Sequence, residues 1–503
     1  KLNVHRSGVY KVSVSATGAS ITGITLKVSC DGSGTKSELQ NKNFQKIGLI
    51  PLEAGEHTLK LEVAKIETVK SPEINELKAI QFDLEDKSLG LSDSLATKET
   101  MLLFANLKET GKRGMIFGQH LACYESQNWR DDEISTDLRS DCETSVGDHP
   151  GVFGFDFGRG IEKFRKYCEE IYRRGGIITY SWHAKNPVTG GNYNDTSGSP
   201  VTAILSGGET RELWLSELDK IADYLNNLEV AGVKVPVIFR PFHENTGSWF
   251  WWGTGNCTNQ EYIDLWRSTI DYLREEKGVR NMLVAYSPSK PSLNKALAEV
   301  MYPGDNYVDI IGFDAYQEDA ALKSLIRENS RLVSKWAQQK KKIPAITEFG
   351  IRKGLQNSSS SDFFMDGFLN QFKNDEVGKN VAFALTWMNT SPESYWTPLA
   401  RQPNYNSFVN FYKDTTTFFL NDLDNIYEKE ITTPVDTTGT VEIRKGFLKV
   451  KNKNGHWYWL GFNDTIISEL GFNTEAGNIT LDTSSTEYFT FSSVFTSQSV
   501  IKV

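Results

Sequence analysis

Residues 235–253 read VPVIFRPFHENTGSWFWWG. The apolar run from Pro236 to Phe239 has the pattern of a strand buried on both faces. It breaks off into Arg240, His243, Glu244 and Asn245, followed by indoles at Trp249, Trp251 and Trp252. A carboxylate, an imidazole and flat aromatic surfaces at one strand tip are what cleavage of a sugar chain asks for. A second carboxylate, Glu348, stands in the apolar phrase ITEFG at 346–350. Glycoside hydrolysis needs one carboxylic acid to protonate the leaving oxygen and one carboxylate to attack the anomeric carbon. Crowding by aromatic and histidine neighbours should raise the pKa of Glu244, as an acid requires. Tyr316 and His243 as hydrogen-bond donors, with positive charge from Arg240, are expected to keep Glu348 ionised.

Two carboxylates far apart in sequence meet only if the fold brings strand ends together. From Leu95 to about Asp424, short apolar runs alternate with amphipathic segments. The expected strands are Met115–His120, Val152–Phe157, Ile177–His183, Val237–Glu244, Met282–Ser287, Val308–Tyr316, Ala345–Phe349 and Val381–Asn389. Helical periodicity marks Ile161–Arg174, Thr210–Asn227, Glu261–Glu276 and Ala321–Lys340, the third with Ile263, Trp266, Ile270 and Leu273 on one face. Eight strand–helix units predict an α/β chain folded as a (β/α)8 TIM barrel, whose chemistry sits at the carboxyl ends of its strands. Those ends carry Gln119 and His120, Trp182 and His183 with Lys185 and Asn186 beyond, then Arg240, His243 and Glu244. The later strands add Asp314 and Tyr316, Glu348, and finally Trp387 and Asn389. The phrase FGQHLACYE after the first strand has no GxGxxG, which weighs against a dinucleotide fold.

Small all-β domains are expected on both sides, giving divisions at 1–86, 93–428 and 436–503. Val9–Ser15 and Thr58–Val63 alternate with period two, and Ile24–Val28 and Ala79–Leu84 do so less cleanly. The tail after the polar linker Thr432–Gly439 is rich in Thr, Ser, Val and Phe, and its HWYWLGF at 456–462 sets Trp457, Tyr458 and Trp459 in one strand. A packed core is the plainer reading of these rings and a sugar platform the sharper one.

Among 503 residues, 55 basic and 64 acidic side chains leave a net charge of −9, which gives no electrostatic reason to seek nucleic acid or anionic membranes. The five cysteines lack paired CxxC spacing, so a zinc site is not expected. A bridge between Cys123 and Cys142 stays open. No apolar run is long enough to span a membrane. The chain begins at Lys1 with neither an initiator Met nor a signal segment, the form of an exported protein after trimming. A monomer is expected, at work outside a bacterial cell, at its surface or in the periplasm. No cofactor is required for the chemistry, and a structural calcium in the first domain is left open.

The phrases FGQH (117–120), SWHAKNP (181–187), RPFHENTGSWFWWG (240–253), AYSPS (285–289), GFDAYQ (312–317), ITEFG (346–350) and LTWMN (385–389) follow one another through the middle domain. In order and spacing they resemble glycoside hydrolase family 26, mostly β-mannanases. The resemblance implies a retaining endo-acting cleavage of β-1,4-mannosidic bonds, with Glu244 as acid/base and Glu348 as nucleophile. It further implies that His243 and Tyr316 position the nucleophile, that His183, Trp249 and Trp387 line the subsites around the cleaved bond, and that Trp387 is the floor there. Arg240 and His120 join them as substrate-side residues. LEAGEHTLKLEV at 52–63 loosely resembles the last hairpin of family 35 carbohydrate-binding modules. Rival readings are the same machinery on mixed-linkage β-glucan or β-1,3-xylan, a silent glycan-binding barrel, and a metal-dependent hydrolase. The last would need clustered ligands, whereas no HxH or HExxH pair occurs.

Overall fold

The computed structural model describes residues 90–134, 138–423 and 426–427, together with strand segments within 2–84 and 443–502. The central region is a parallel sheet wrapped in helices. Its strands are β1 (Met115–His120), β2 (Val152–Asp156), β3 (Ile177–Ser181), β4 (Val237–Arg240), β5 (Met282–Tyr286), β6 in two pieces (Ile310–Ile311 and Asp314–Gln317), β7 (Ile346–Ile351) and β8 (Phe383–Thr386). Strands β1 to β5 are buried along their whole length, which is why they read as continuous apolar runs. Neighbours pair in the order β7, β8, β1, β2, β3, β4, β5. The second piece of β6 lies beside β7, and the first piece beside β5. The first piece also pairs with Ile343–Pro344, just ahead of β7, so β6 runs between β5 and β7, and this curled parallel arrangement fits a (β/α)8 barrel.

β6 was expected as one strand. It breaks at Gly312–Phe313, where the Thr347 side chain lies 2.6 Å from the place a Cβ on Gly312 would occupy. β4 stops at Arg240, four residues before the expected end, because the chain turns there through left-handed backbone at Phe242 (φ 47°) and Glu244 (φ 55°).

Nine α-helices pack around the sheet among the described residues: α1 (Lys98–Gly111), α2 (Asp141–Val146), α3 (Arg165–Arg173), α4 (Pro200–Ser206), α5 (Glu209–Asn226), α6 (Asn259–Asp271), α7 (Lys295–Val300), α8 (Asp319–Lys340) and α9 (Tyr405–Lys413). α6 starts with a capping box, Thr258 accepting from the Glu261 N–H while Glu261 accepts from the Thr258 N–H. Its Tyr262, Leu265, Trp266 and Ile270 are buried against the barrel. The helix expected to Glu276 ends at Asp271 and is prolonged by a wider turn, Tyr272–Glu276. After β7 a regular helix is replaced by irregular helical turns at Phe363–Phe368 and Leu369–Gln371. Packing outweighs hydrogen-bond regularity there: Phe368 stacks on Phe349 of β7 with ring centroids 3.9 Å apart.

At the amino-terminal end of the barrel, buried charges fasten the incoming chain. Lys342 Nζ donates to the carbonyls of Gly90 and Asp305 at 2.6 and 2.5 Å, and the Ser92 N–H donates to Asp309 at 2.6 Å. The region before it has two three-stranded antiparallel sheets, one ordered Gln45–Leu52, Gly8–Thr17, Glu76–Leu84 and the other Ser33–Glu38, Ile24–Cys30, Leu59–Ile66. They share a core of Val12, Val14, Leu26, Val28, Ile47 and Ile50. A smaller apolar cluster joins Leu49 of the first sheet to Ala96, Met101 and Ala105 around α1. Near the carboxyl end, Ile443–Arg444, Phe447–Asn452, Trp457–Gly461, Tyr488–Thr490 and Val500–Lys502 pair antiparallel. The linker Thr432–Gly439, the first part of the linker before Asp93, and the side chains of Trp457, Tyr458 and Trp459 lie outside the described residues.

Cys123 and Cys142 are separate buried thiols, with no bridge between them. Among the described residues, no helix is long and apolar enough to cross a membrane.

Candidate active site

The turn after β4 sets Glu244. Its N–H donates to the Ser287 carbonyl at 2.8 Å, and its carbonyl accepts from the Gly247 N–H at 2.8 Å. Trp249 Nε1 donates to Glu244 Oε2 at 2.7 Å. Burial and the nearby charge of Glu348 push the Glu244 carboxyl up to about 7, against the opposing pull of the Trp249 hydrogen bond and of Arg240. Glu244 is therefore a carboxyl that still carries its proton near neutral pH.

Glu348 sits on β7 in register with Asp314 on β6. Arg240 lies fully buried between them. It donates from Nη1 to Asp314 at 2.7 Å and from Nη2 to Glu348 Oε1. Tyr316 completes the set, its hydroxyl donating to Glu348 Oε2 at 2.9 Å, and His120 Nε2 lies 3.5 Å from Oε1. Burial alone would raise both carboxyls. For Glu348 the Arg240 charge, aided by the nearby His120 ring, prevails and holds it well below the usual range. For Asp314 burial prevails over Arg240, and the group is raised well above its ordinary value. One guanidinium thus serves two carboxyls, with Glu348 the ionised one.

Three histidines stand near Glu348. His120 fits beside β2 because residue 154 is glycine; a Cβ there would stand 2.5 Å from His120 Nδ1. Its ring lies 4.7 Å from that of Trp387, and burial lowers its pKa. His243 was expected to donate to Glu348. Its ring packs instead against His183 and Phe250, at centroid distances of 4.6 and 5.2 Å, with Nδ1 buried and unpartnered. Burial and the Arg240 charge push His243 well down, so the ring is neutral. His183 is held by Asp156 through both its backbone N–H and Nδ1.

A cleft of about 310 Å³ is lined by His120, Asp156, Arg159, His183, Lys185, Asn192, Tyr193 and Trp387, with Leu121, Gly158 and Met388. Of the tryptophans after β4, only Trp249 is exposed, at 41%. Trp251 and Trp252 are fully buried, and their indoles donate to the carbonyls of Ala184 and His243 at 2.9 Å. They brace the site rather than offer stacking surface. Trp182 likewise turns inward and stacks on Trp214 at 4.6 Å. Asn186 and Asn389 are loop organisers: Asn186 donates to the Asp195 and Ser197 carbonyls, and Asn389 donates to Asp141 and Thr397.

Sequence reasoning missed Asp156, Arg159 and Tyr193. Asp156 ends β2, the same strand-end rule that exposed the others, and its apolar run VFGFDF carried the signal. Arg159 and Tyr193 stand on loops, where periodicity says nothing. Among the described residues, no group of three or more His, Cys, Asp or Glu side chains gathers as a metal site.

A carboxyl pushed toward holding its proton and an ionised carboxylate close enough to influence it stand beside the cleft, Glu348 next to the His120 that lines it. One group can donate a proton and the other can attack an electrophilic carbon.

The sequence model of glycosyl hydrolase family 26 matches residues 92–388. A mannan endo-1,4-beta-mannosidase of Bifidobacterium adolescentis is 31% identical over 451 residues, covering 80% of this chain and 43% of the relative. A mannan endo-1,4-beta-mannosidase of Bacillus subtilis is 31% identical over 243 residues, covering 44% of this chain and 64% of that one. The chain therefore spans less than two thirds of the length of these curated relatives. Among solved structures, the catalytic domain of a family 26 endo-beta-1,4-mannanase from Bacillus sp. JAMB-750 superposes with a TM-score of 0.63 at 33% identity, over 68% of this chain and 96% of that domain.

Proposed function

This chain belongs to glycosyl hydrolase family 26, and from that premise we propose that it is a retaining endo-β-1,4-mannanase acting on mannan or manno-oligosaccharides. The observation that carries the reading is the opposite electrostatic setting of two interacting carboxyls, Glu244 pushed up to about 7 and Glu348 held well below the usual range. Glu244 protonates the glycosidic oxygen as Glu348 attacks the anomeric carbon, so the leaving chain departs as an alcohol and the sugar becomes an ester of Glu348. Glu244, now ionised, takes a proton from water, whose oxygen displaces Glu348 and restores the original anomeric configuration. Tyr316 and Arg240 orient the nucleophile, and Trp387 is the floor under the sugar. His120, His183, His243 and Trp249 contact the substrate around the cleaved bond.

Both catalytic groups are side chains, so the chemistry needs no metal; a chelator should leave the rate unchanged. We place the enzyme outside the cell or at its surface, as a monomer, where the polymer is met. The terminal β regions, 1–86 and 436–503, are taken as separate domains, the first a candidate carbohydrate-binding module of the family 35 kind. A calcium ion there would show as a chelator-sensitive Tm with unchanged kcat.

The test is product analysis on linear mannan, galactomannan, mixed-linkage β-glucan and β-1,3-xylan, with anomeric configuration followed by NMR. Internal cuts releasing manno-oligosaccharides first seen as β anomers are expected. Turnover of glucan or xylan alone would keep the mechanism and replace the substrate. No turnover of any would overturn both.

A further inference from the structure

Asp156 has no place in the two-carboxylate scheme, yet it lines the same cleft and is 6% exposed. Four donors surround it. Oδ1 accepts from the Gly158 N–H at 2.6 Å and from the His183 N–H at 3.1 Å. Oδ2 accepts from Ser181 Oγ at 3.1 Å and from His183 Nδ1. The cradle is tight. A Cβ on Gly158 would come within 2.6 Å of the His183 carbonyl and 2.9 Å of Asp156 Oδ1. A carboxylate with this many donors has little freedom to turn, so it fixes whatever it holds.

What it holds is a ring at the cleft wall. With Nδ1 committed to Asp156, the proton on that nitrogen is set and Nε2 is the ring atom left for a ligand. Around it stand Tyr193 and Phe250, at ring distances of 4.5 and 5.5 Å, and His243 at 4.6 Å.

We propose that Asp156 is a positioning residue: it clamps His183 by backbone and ring together, so that Nε2 meets a hydroxyl of the sugar chain on the Glu348 side of the cleaved bond. The inference rests on the glycoside-hydrolase reading for its ligand, but the clamp itself does not. Burial would lower the His183 pKa, and the Asp156 carboxylate overcomes that and holds it above its ordinary value. Other charged or titratable groups acting on His183 are Glu348 from β7, Arg240 from β4, and Glu244, His243 and Tyr193 from the loops. With Asp156 intact, Nε2 therefore carries a proton to donate over a wider pH range.

The test uses the full chain with ¹⁵N-labelled histidine. Wild type should show one cleft imidazole whose titration midpoint lies above the ordinary value near 6.5, assigned by its loss in His183→Gln. In Asp156→Asn that midpoint should fall below 6.5, while kcat/KM on a soluble β-1,4-manno-oligosaccharide drops roughly 10–100-fold, mostly through KM. Ser181→Ala removes one donor to Asp156 and should shift the midpoint in the same direction by less, which keeps the test open if Asp156→Asn does not fold. An unchanged His183 titration in the folded variants would overturn the clamp. An altered titration with unchanged KM would overturn the sugar contact. If wild type hydrolyses no mannan, the functional reading falls and the titration alone still decides the clamp.

Discussion

A proton shared unequally between two carboxyls is the centre of this site, and residue-scale changes should move it in known directions. Glu244→Ala and Glu348→Ala should each lower kcat by about 10²–10⁴-fold or more, the scale set by loss of an acid or a nucleophile. Azide should rescue Glu348→Ala as the inverted glycosyl azide; absence of rescue would count against Glu348 as nucleophile. The pH profile should fall on its alkaline side near 7, where Glu244 loses its proton, and its acid limb should lie below the usual carboxylate range. Trp249 Nε1 donates to Glu244 and so favours the ionised form. Trp249→Phe removes that donor, the Glu244 pKa rises, and the alkaline limb of kcat/KM should shift upward. A limb that stays put or moves down would show that another group sets it. Arg240→Met would leave Glu348 and Asp314 buried without their cation. The loss is about 3–5 kcal/mol of stability by the general cost of orphaning a buried charge, read as a lower Tm. The sign with pH follows from Glu348, whose folded pKa is depressed. Its stabilising contribution is complete above the unfolded value of about 4.3 and fades as pH falls through the folded value, so the Tm gap between wild type and variant should narrow in acid.

Strand ends and the turns behind them decide where those residues stand. Most strands contribute a few positions, and a glycine in a neighbouring strand makes room for one of them. Gly154 on β2 is the clearest case, since any side chain there meets the His120 ring. Gly154→Ala should displace His120 from Glu348 and lower kcat while the circular dichroism of the fold is kept; an unaltered kcat would mean that His120 contributes nothing. Left-handed backbone at Phe242 and Glu244 costs energy for residues with a Cβ. The turn persists because the Ser287 carbonyl captures the Glu244 N–H and because Trp251 and Trp252 fill the space beneath it. Functional geometry is held here by core packing rather than by regular secondary structure.

The molecule as a whole separates its chemistry from its attachments. The catalytic cleft opens at the carboxyl ends of the strands, whereas the incoming chain is fastened at the amino ends by Lys342, Asp309 and Ser92. The N-terminal sheets reach the barrel through Leu49, packed with Ala96, Met101 and Ala105. Deleting residues 1–86 should expose this small apolar patch and lower Tm, at a cost of about 3 kcal/mol from the buried area of two large side chains. kcat on soluble oligosaccharide should be retained, because among the described residues none from that region lines the cleft. Collapse of the barrel on deletion would make the sheets part of the barrel's own folding unit.

Much of this was legible in the chain alone. Buried parallel strands announce themselves as unbroken apolar runs, and polar residues where such runs end can only be rim residues, so β1 to β5, Glu244, Glu348, Tyr316 and Trp387 could be read in order. What the sequence could not tell is which way a side chain turns once past the strand. Trp249 is exposed and Trp251 and Trp252 are buried, though all three share one phrase. His120 rather than His243 stands against Glu348, and Arg240 bridges two carboxyls more than seventy residues away. Those outcomes depend on contacts between distant strands, on the space left by Gly154 and Gly158, and on which buried group keeps its charge. Periodicity is a property of neighbours along the chain, while pKa and orientation belong to neighbours in space, and only the folded chain supplies them.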